Sequence, residues 1–250
     1  MAKRFLSLFV AVACAVMLAG CAQNSGSEGV PAQGAESTSQ VAGEDVAAES
    51  LRSYTVSRVE GEPDWEAIPQ LDIDHQQWLE PVDIAAYAQL CYSDDAFYVR
   101  MWAEEAEIRA EYPATDLLAN TYEDSCLEFF LSPVSGDSRY LNFEFNPNGA
   151  VGVQIGTTKT DRTRLVRTDD PYQASAVRTA DGWEISYRVP FDFIRSFYPD
   201  FTVESGMELR GNFYKCGNLT VQKHYLSWNP IESDTPNFHM PEYFGVLVLE

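Results

Sequence analysis

Ala86-Tyr-Ala-Gln-Leu-Cys-Tyr92, then Ser93-Asp94-Asp95, then Ala96-Phe-Tyr-Val-Arg-Met-Trp102: this stretch reads as strand, tight turn, strand. Aromatic and β-branched residues recur on both sides of a short acidic turn, the signature of a hairpin. The same grammar repeats in both directions. Tyr54-Thr-Val-Ser-Arg-Val59 is a strand ending at Glu60-Gly61-Glu62-Pro63, a turn by composition. Leu127-Glu-Phe-Phe-Leu131 and Tyr140-Leu-Asn-Phe-Glu-Phe145 form a second pair, and Val151-Gly-Val-Gln-Ile155 returns from it. Between them, Asn146-Pro147-Asn148-Gly149 is a turn, because Asn and Gly tolerate positive φ and Pro cannot continue a ladder. Further strands are expected at Gln173 to Thr179, Trp183 to Val189, Glu208 to Lys215 and Tyr243 to Leu249.

Helical periodicity is scarce, with Phe191 to Tyr198 the best short candidate after Pro190. Many short strands with few helices predict an all-β domain, an immunoglobulin-like or jelly-roll β-sandwich of antiparallel strands. No helix is long enough to cross between parallel strands of an α/β fold. Residues 51–250 carry nearly all the aromatics and form one expected domain, a monomer.

The N-terminal region reads differently. Lys3 and Arg4 precede an apolar run from Phe5 to Met17, closed by Leu18-Ala-Gly-Cys21. That run falls short of the ~20 residues a membrane-spanning helix needs, so 1–20 is expected to be a cleaved signal peptide. The Leu-Ala-Gly-Cys segment resembles the bacterial lipoprotein box, which implies a lipidated (palmitate-bearing) Cys21 and a chain exported and anchored to the cell envelope, at the outer membrane or cell surface. From Ala22 to about Ser50 there is no aromatic residue and much Gly, Ser, Ala, Gln and Glu, the composition of a disordered linker. Such a coil has a root-mean-square reach of roughly 30 Å.

Charge narrows the partners. The chain has 17 basic and 38 acidic residues, a formal net charge of −21, and losing Lys3 and Arg4 with the leader makes it more negative still. Nucleic acid and anionic lipid surfaces would be repelled. Cys91, Cys126 and Cys216 remain in the domain, an odd number that allows at most one bridge. No CxxC or other metal-finger spacing appears.

No GxSxG, HExxH or Gly-rich phosphate loop is present. Of the histidines, His75, His224 and His239, no two share a short helical spacing, and hydrogen-bonded rim or core positions are the expectation. Glu128 and Glu144 stand mid-strand among aromatics, so alternation sends their side chains away from Leu127, Phe129, Phe143 and Phe145. They could accept sugar hydroxyls, act as a glycosidase acid and nucleophile, or face solvent on a half-exposed sheet. Trp65, Trp102 and Trp183 are expected between the sheets. Tyr122 and Phe238 stand in loops, where aromatics flanked by polar residues suit the C–H face of a sugar ring. Asp72-Ile-Asp74 and Ser93-Asp94-Asp95 offer oxygen ligands of the type calcium takes. Met101, Met207 and Met240 are haem-ligand candidates by type only.

From about Gly61 to Glu250 the chain resembles the family 9 carbohydrate-binding modules. The resemblance rests on Gly61-Glu-Pro-Asp-Trp65, Asp94-Asp-Ala-Phe-Tyr-Val99, Tyr122-Glu-Asp-Ser-Cys-Leu-Glu-Phe-Phe130 and Asn142-Phe-Glu-Phe-Asn-Pro-Asn-Gly149. It continues through Trp183 to Phe191, Gly211 to Cys216, His224 to Pro230 and Pro236 to Gly245. The resemblance implies a non-catalytic sandwich, with structural calcium, that holds a terminal sugar between two rings. By position the rings fall at Tyr122 and Phe238 and the polar contacts at Glu128, Asn142 and Glu144. Both rings are tryptophan in characterised sugar binders, and a basic contact of theirs maps to Glu144. The resemblance also implies a Cys126–Cys216 disulfide with Cys91 buried. The rival expectation is an interaction module for a protein of the envelope.

Overall fold

The computed structural model describes residues 51–250; the expected signal peptide, lipidated Cys21 and linker lie outside the described residues. In chain order the strands are β1 (Ser53–Arg58), β2 (Leu71–Asp72), β3 (His75–Gln76), β4 (Ala85–Tyr92), β5 (Ala96–Glu104), β6 (Cys126–Ser132) and β7 (Tyr140–Phe145). They continue as β8 (Val151–Gly156), β9 (Arg162–Arg164), β10 (Ser175–Arg178), β11 (Gly182–Pro190), β12 (Glu208–Gly217), β13 (His224–Ser227) and β14 (Gly245–Leu249), with α1 (Phe191–Arg195) after β11. The opening hairpin is β4–β5, with Tyr92 opposite Phe97.

One sheet runs β10-β11-β5-β4-β1 and the other β14-β12-β6-β7-β8-β9, and β1 belongs to both. Its first residues pair with β14 and its last two with β4. Both of these pairings are parallel, so the sheets are mixed and not purely antiparallel as expected. The physical reason is that β1 enters between a hairpin edge and the C-terminal strand, both already pointing its way. Its first four residues are thereby bonded to one sheet and its last two to the other.

Alternation sorts the side chains as the backbone period of two demands. Leu127, Phe129 and Leu131 of β6 and Leu141, Phe143 and Phe145 of β7 join Val99, Met101, Trp183 and Ile185 of the opposite sheet in the main core. Phe129 stacks on Phe213 with ring centroids 4.6 Å apart. Burying each such ring contributes roughly 1.5–3 kcal/mol. Trp183 is fully buried there, whereas Trp65 and Trp102 are only half-buried. Trp102 stacks on Tyr87 on the outer face, centroids 5.2 Å apart, under the Arg100 guanidinium.

The intervening residues of β6, β7 and β12 point away from that core. There Phe130, Tyr140, Tyr214 and Phe244 form a second cluster, covered by the 231–244 segment. The turn after β7 forms as its composition requires. Gly149 has φ of +81° and its N–H donates to the Asn146 carbonyl at 2.9 Å, while the Asn146 side chain accepts from Ala150 N–H at 2.8 Å.

Candidate functional site: a cavity on the outer face of the second sheet

Because Glu128 pairs with Glu144, and Cys126 with Cys216, four polar side chains share the face opposite the main core. They lie beneath a cavity of about 500 Å³ lined by Tyr122, Glu128, Glu144, Cys216 and Phe238, together with Lys159, Arg162, Tyr225 and His239. That volume suits a sugar unit or two.

Tyr122 is carried by a short 3-10 turn, Thr121–Glu123, tied down by the next residue. The buried Asp124 carboxylate accepts from Glu111 N–H at 2.9 Å, Tyr112 N–H at 3.1 Å and the Asn146 amide at 2.9 Å. On the opposite rim, the Phe238 carbonyl accepts from Tyr214 Oη at 3.1 Å and from Met240 N–H at 2.9 Å. The Phe238 ring is only 8 % exposed and stacks on Tyr214 with centroids 4.1 Å apart. One face of it is therefore taken by the protein itself, and Tyr122 is the more open of the two rings.

The two carboxylates are buried and bonded. The Cys216 thiol donates to Glu128 Oε1 at 3.0 Å. Glu144 accepts from Asn142 Nδ2 at 2.7 Å and Thr121 Oγ1 at 3.1 Å, with the Gln154 amide at 3.5 Å. Burial pushes Glu128 well above the usual carboxylic range, and the neighbouring Cys216 and Glu144 add to the shift. Burial raises Glu144 as well, against the pull of the Arg162 charge. Asn142 is fully buried and does not line the cavity; its amide positions Glu144. Gly152, opposite Glu144 on β8, leaves that carboxylate room: a Cβ there would lie 3.1 Å from Thr121 Oγ1 and 3.4 Å from Glu144 Oε2.

The cysteines depart from expectation. Cys126 and Cys216 are directly opposed across β6 and β12, yet both are free buried thiols, as is Cys91. The Cys126–Cys216 bridge is thus corrected to a pair of thiols, one of which donates its hydrogen bond to Glu128. Their sulfurs and a Glu128 oxygen lie within 4.8 Å of one another, a donor set of soft character and unlike calcium's. The acidic turns expected to suit calcium are engaged elsewhere: Asp74 with Arg52 at 2.7 Å, Asp95 with Arg188 at 2.7 Å, Asp94 with Arg58, and Asp72 with Gln70 at 2.9 Å. They do not fit a cage of six to eight oxygens. Met101 lies in the main core, and both nitrogens of His224 are bonded, to Lys215 Nζ at 2.7 Å and the Gln222 carbonyl at 2.6 Å.

Sequence reasoning missed Lys159 and Arg162, and it read His239 as a hydrogen-bonded rim or core residue in preference to a metal ligand. Arg162 Nη1 lies 2.6 Å from His239 Nε2, and His239 Nδ1 lies 2.8 Å from Tyr140 Oη. A guanidinium only donates, so Nε2 accepts and Nδ1 carries the proton toward Tyr140. Burial, helped by the Arg162 charge, takes His239 down to about 3. The available signal was the polar Arg162-Thr-Arg164 alternation, which puts two cations on one face of a strand.

Among solved structures, a protein from Bacteroides uniformis described as a candidate carbohydrate-binding protein matches with 27 % identity and a TM-score of 0.69, over 80 % of this chain and 100 % of that one. A family 9 carbohydrate-binding module from Caldicellulosiruptor kristjanssonii in complex with glucose matches at 14 % identity and a TM-score of 0.56, over 80 % and 96 %. In complex with cellotriose, such a module from the same organism gives 14 % and 0.53, over 80 % and 94 %. These last two show the shared fold alone. No curated protein sequence matches the chain. The profile of carbohydrate-binding family 9 matches residues 63–249, nearly the whole described domain, and the chain belongs to that family.

Proposed function

We propose that this is a non-catalytic, lipid-tethered carbohydrate-binding protein of the cell envelope, taking a glycan end into the cavity between Tyr122 and Phe238. The observation that carries the reading is that one cavity of about 500 Å³ gathers both loop rings and both strand carboxylates. Tyr122 offers a ring face, and the carboxyl groups of Glu128 and Glu144 offer oxygens to sugar hydroxyls. Binding is favoured over hydrolysis because the Glu144 oxygens are held by Thr121 and Asn142 and a Glu128 oxygen by Cys216, an arrangement that fixes carboxylates in place. The bound forms of the Caldicellulosiruptor modules, with glucose and with cellotriose, are in keeping with such a ligand.

A glycan array followed by calorimetry on the purified chain tests the proposal. Binding of an oligosaccharide, lost in Tyr122→Ala, is the expected result; a folded chain that binds no glycan overturns it. The tether is tested separately: labelled palmitate should enter the wild-type chain in cells and not the Cys21→Ala variant.

A further inference from the structure

The described residues contain fifteen lysines and arginines in a chain with more than twice as many acids. Nine of them form ion pairs. In such an acidic protein an unpaired cation is the exception, and half of the exceptions stand together. Lys159, Arg162 and Arg164 follow one another along β9 and its approach, and none of them has a carboxylate partner among the described residues. Lys159 and Arg162 line the cavity.

What these groups do touch is neutral. Lys159 Nζ donates to the Pro236 carbonyl at 3.1 Å, leaving two of its N–H bonds free. Arg162 meets His239 through Nη1 alone, leaving Nε and Nη2 free to donate. Arg164 donates to the Ala119 carbonyl at 2.8 Å. Among the described residues only Glu128 and Glu144 line the cavity as acids, and both are buried in its floor, 3 % and 2 % exposed. The acid just before the strand, Asp161, accepts from the Thr157 hydroxyl at 2.7 Å. The mouth of the cavity therefore presents two cations, Lys159 and Arg162, in a chain whose formal net charge is −21.

We infer that the glycan end bound here carries an anionic group, a carboxylate or a sulfate ester, seated between Lys159 and Arg162. This rests on the glycan-binding reading above and adds the ligand's charge to it. A guanidinium whose Nε–Nη2 edge is free takes a carboxylate or sulfate in a forked hydrogen bond, and the ammonium adds a second point of charge. The net acidity of the chain disfavours anions over most of its surface, and the paired cations at this mouth offset it locally, which makes the site selective as well as attractive.

Calorimetry on the purified full chain decides it with a small set of probes: a neutral glucose-ended disaccharide, its glucuronic and galacturonic acid-ended counterparts, glucose 6-sulfate, and inorganic sulfate. At least one anionic sugar is expected to bind ten-fold or more tightly than the neutral sugar, with the preference shrinking as salt rises. Lys159→Gln, on an exposed residue whose loss leaves the fold intact, and Arg162→Gln should both collapse that anionic-to-neutral ratio toward one. Preference for the uronates alone assigns a carboxylate, and preference for the sulfated sugar alone a sulfate ester. If neutral and anionic sugars bind equally, the inference fails while the glycan reading stands. If no sugar binds to a folded chain, the glycan reading fails and takes the inference with it; binding of inorganic sulfate alone overturns both in the same way.

Discussion

Lys215 and Glu105 form an ion pair sealed from solvent: Nζ lies 3.1 Å from Oε2, with side chains 0 % and 3 % exposed. Ser125 Oγ donates to the other Glu105 oxygen at 2.8 Å, and His224 Nε2 accepts from Lys215 at 2.7 Å. The pair links the end of β12 to the segment after β5, directly behind the strands that carry Cys126 and Cys216. Removing one partner leaves the other charged and buried. Lys215→Met should cost about 3–5 kcal/mol in urea unfolding. The double variant Lys215→Met/Glu105→Gln should recover a good part of that, and a double variant as unstable as the single would show that packing of the lysine stem, not charge, is what matters.

The two bonded histidines make stability depend on pH in a definite direction. Burial, then the charge of Lys215, takes His224 down to about 3, and burial with Arg162 does the same for His239. Between the ordinary histidine range near 6.5 and about 3, the unfolded chain binds protons that the folded chain refuses. Stability therefore falls as pH falls through that window, at up to ~1.4 kcal/mol per pH unit for each histidine. Glu128 and Glu144 act oppositely, since their raised values make stability fall as pH rises above the usual carboxylate range. His239→Gln should flatten the fall in urea midpoint between pH 6.5 and 5, and an unchanged slope would mean that the ring is protonated in the folded state.

Glu128 and Glu144 were legible in the sequence because the period of two is a property of the backbone, and flanking phenylalanines announce which face is the core. Phe129, Phe143 and Phe145 do lie in the main core. Phe130, next to them in sequence, shares the cavity-side cluster with Cys126 and Tyr140. Long-range assembly was harder to read. Arg162 stands on a three-residue strand too short and polar to register as one, and its meeting with His239 depends on the 231–244 segment folding back over the sheet. The parallel placement of β1 likewise leaves no local trace, since Tyr54 and Val56 alternate identically in either direction.

The unequal burial of the two rings predicts unequal variants. Tyr122 is half-exposed at the cavity, while Phe238 stacks on Tyr214 and contacts Trp78 and Tyr225 at 5.7 and 5.9 Å. Tyr122→Ala should weaken glycan binding ten-fold or more with little change in melting temperature. Phe238→Ala should lower both affinity and stability, the latter by about 3 kcal/mol as for a truncated core aromatic. Equal stabilities for the two variants would place Phe238 outside the packed cluster.

The opposed cysteines give the last expectation. Burial pushes the thiols of Cys91 and Cys126 to about 12, and Cys216 is raised well above its ordinary range beside Cys126. Disulfide exchange runs through the thiolate, so these protonated, buried sulfurs should react slowly despite the closeness of Cys126 and Cys216 across the strands. In the folded chain at pH 8, Ellman's reagent should find almost nothing within minutes. In denaturant it should titrate the three domain thiols, Cys91, Cys126 and Cys216. A single thiol released by denaturant would mean that β6 and β12 had closed into a bridge, and that Glu128 had lost the donor that holds its Oε1 at the cavity floor.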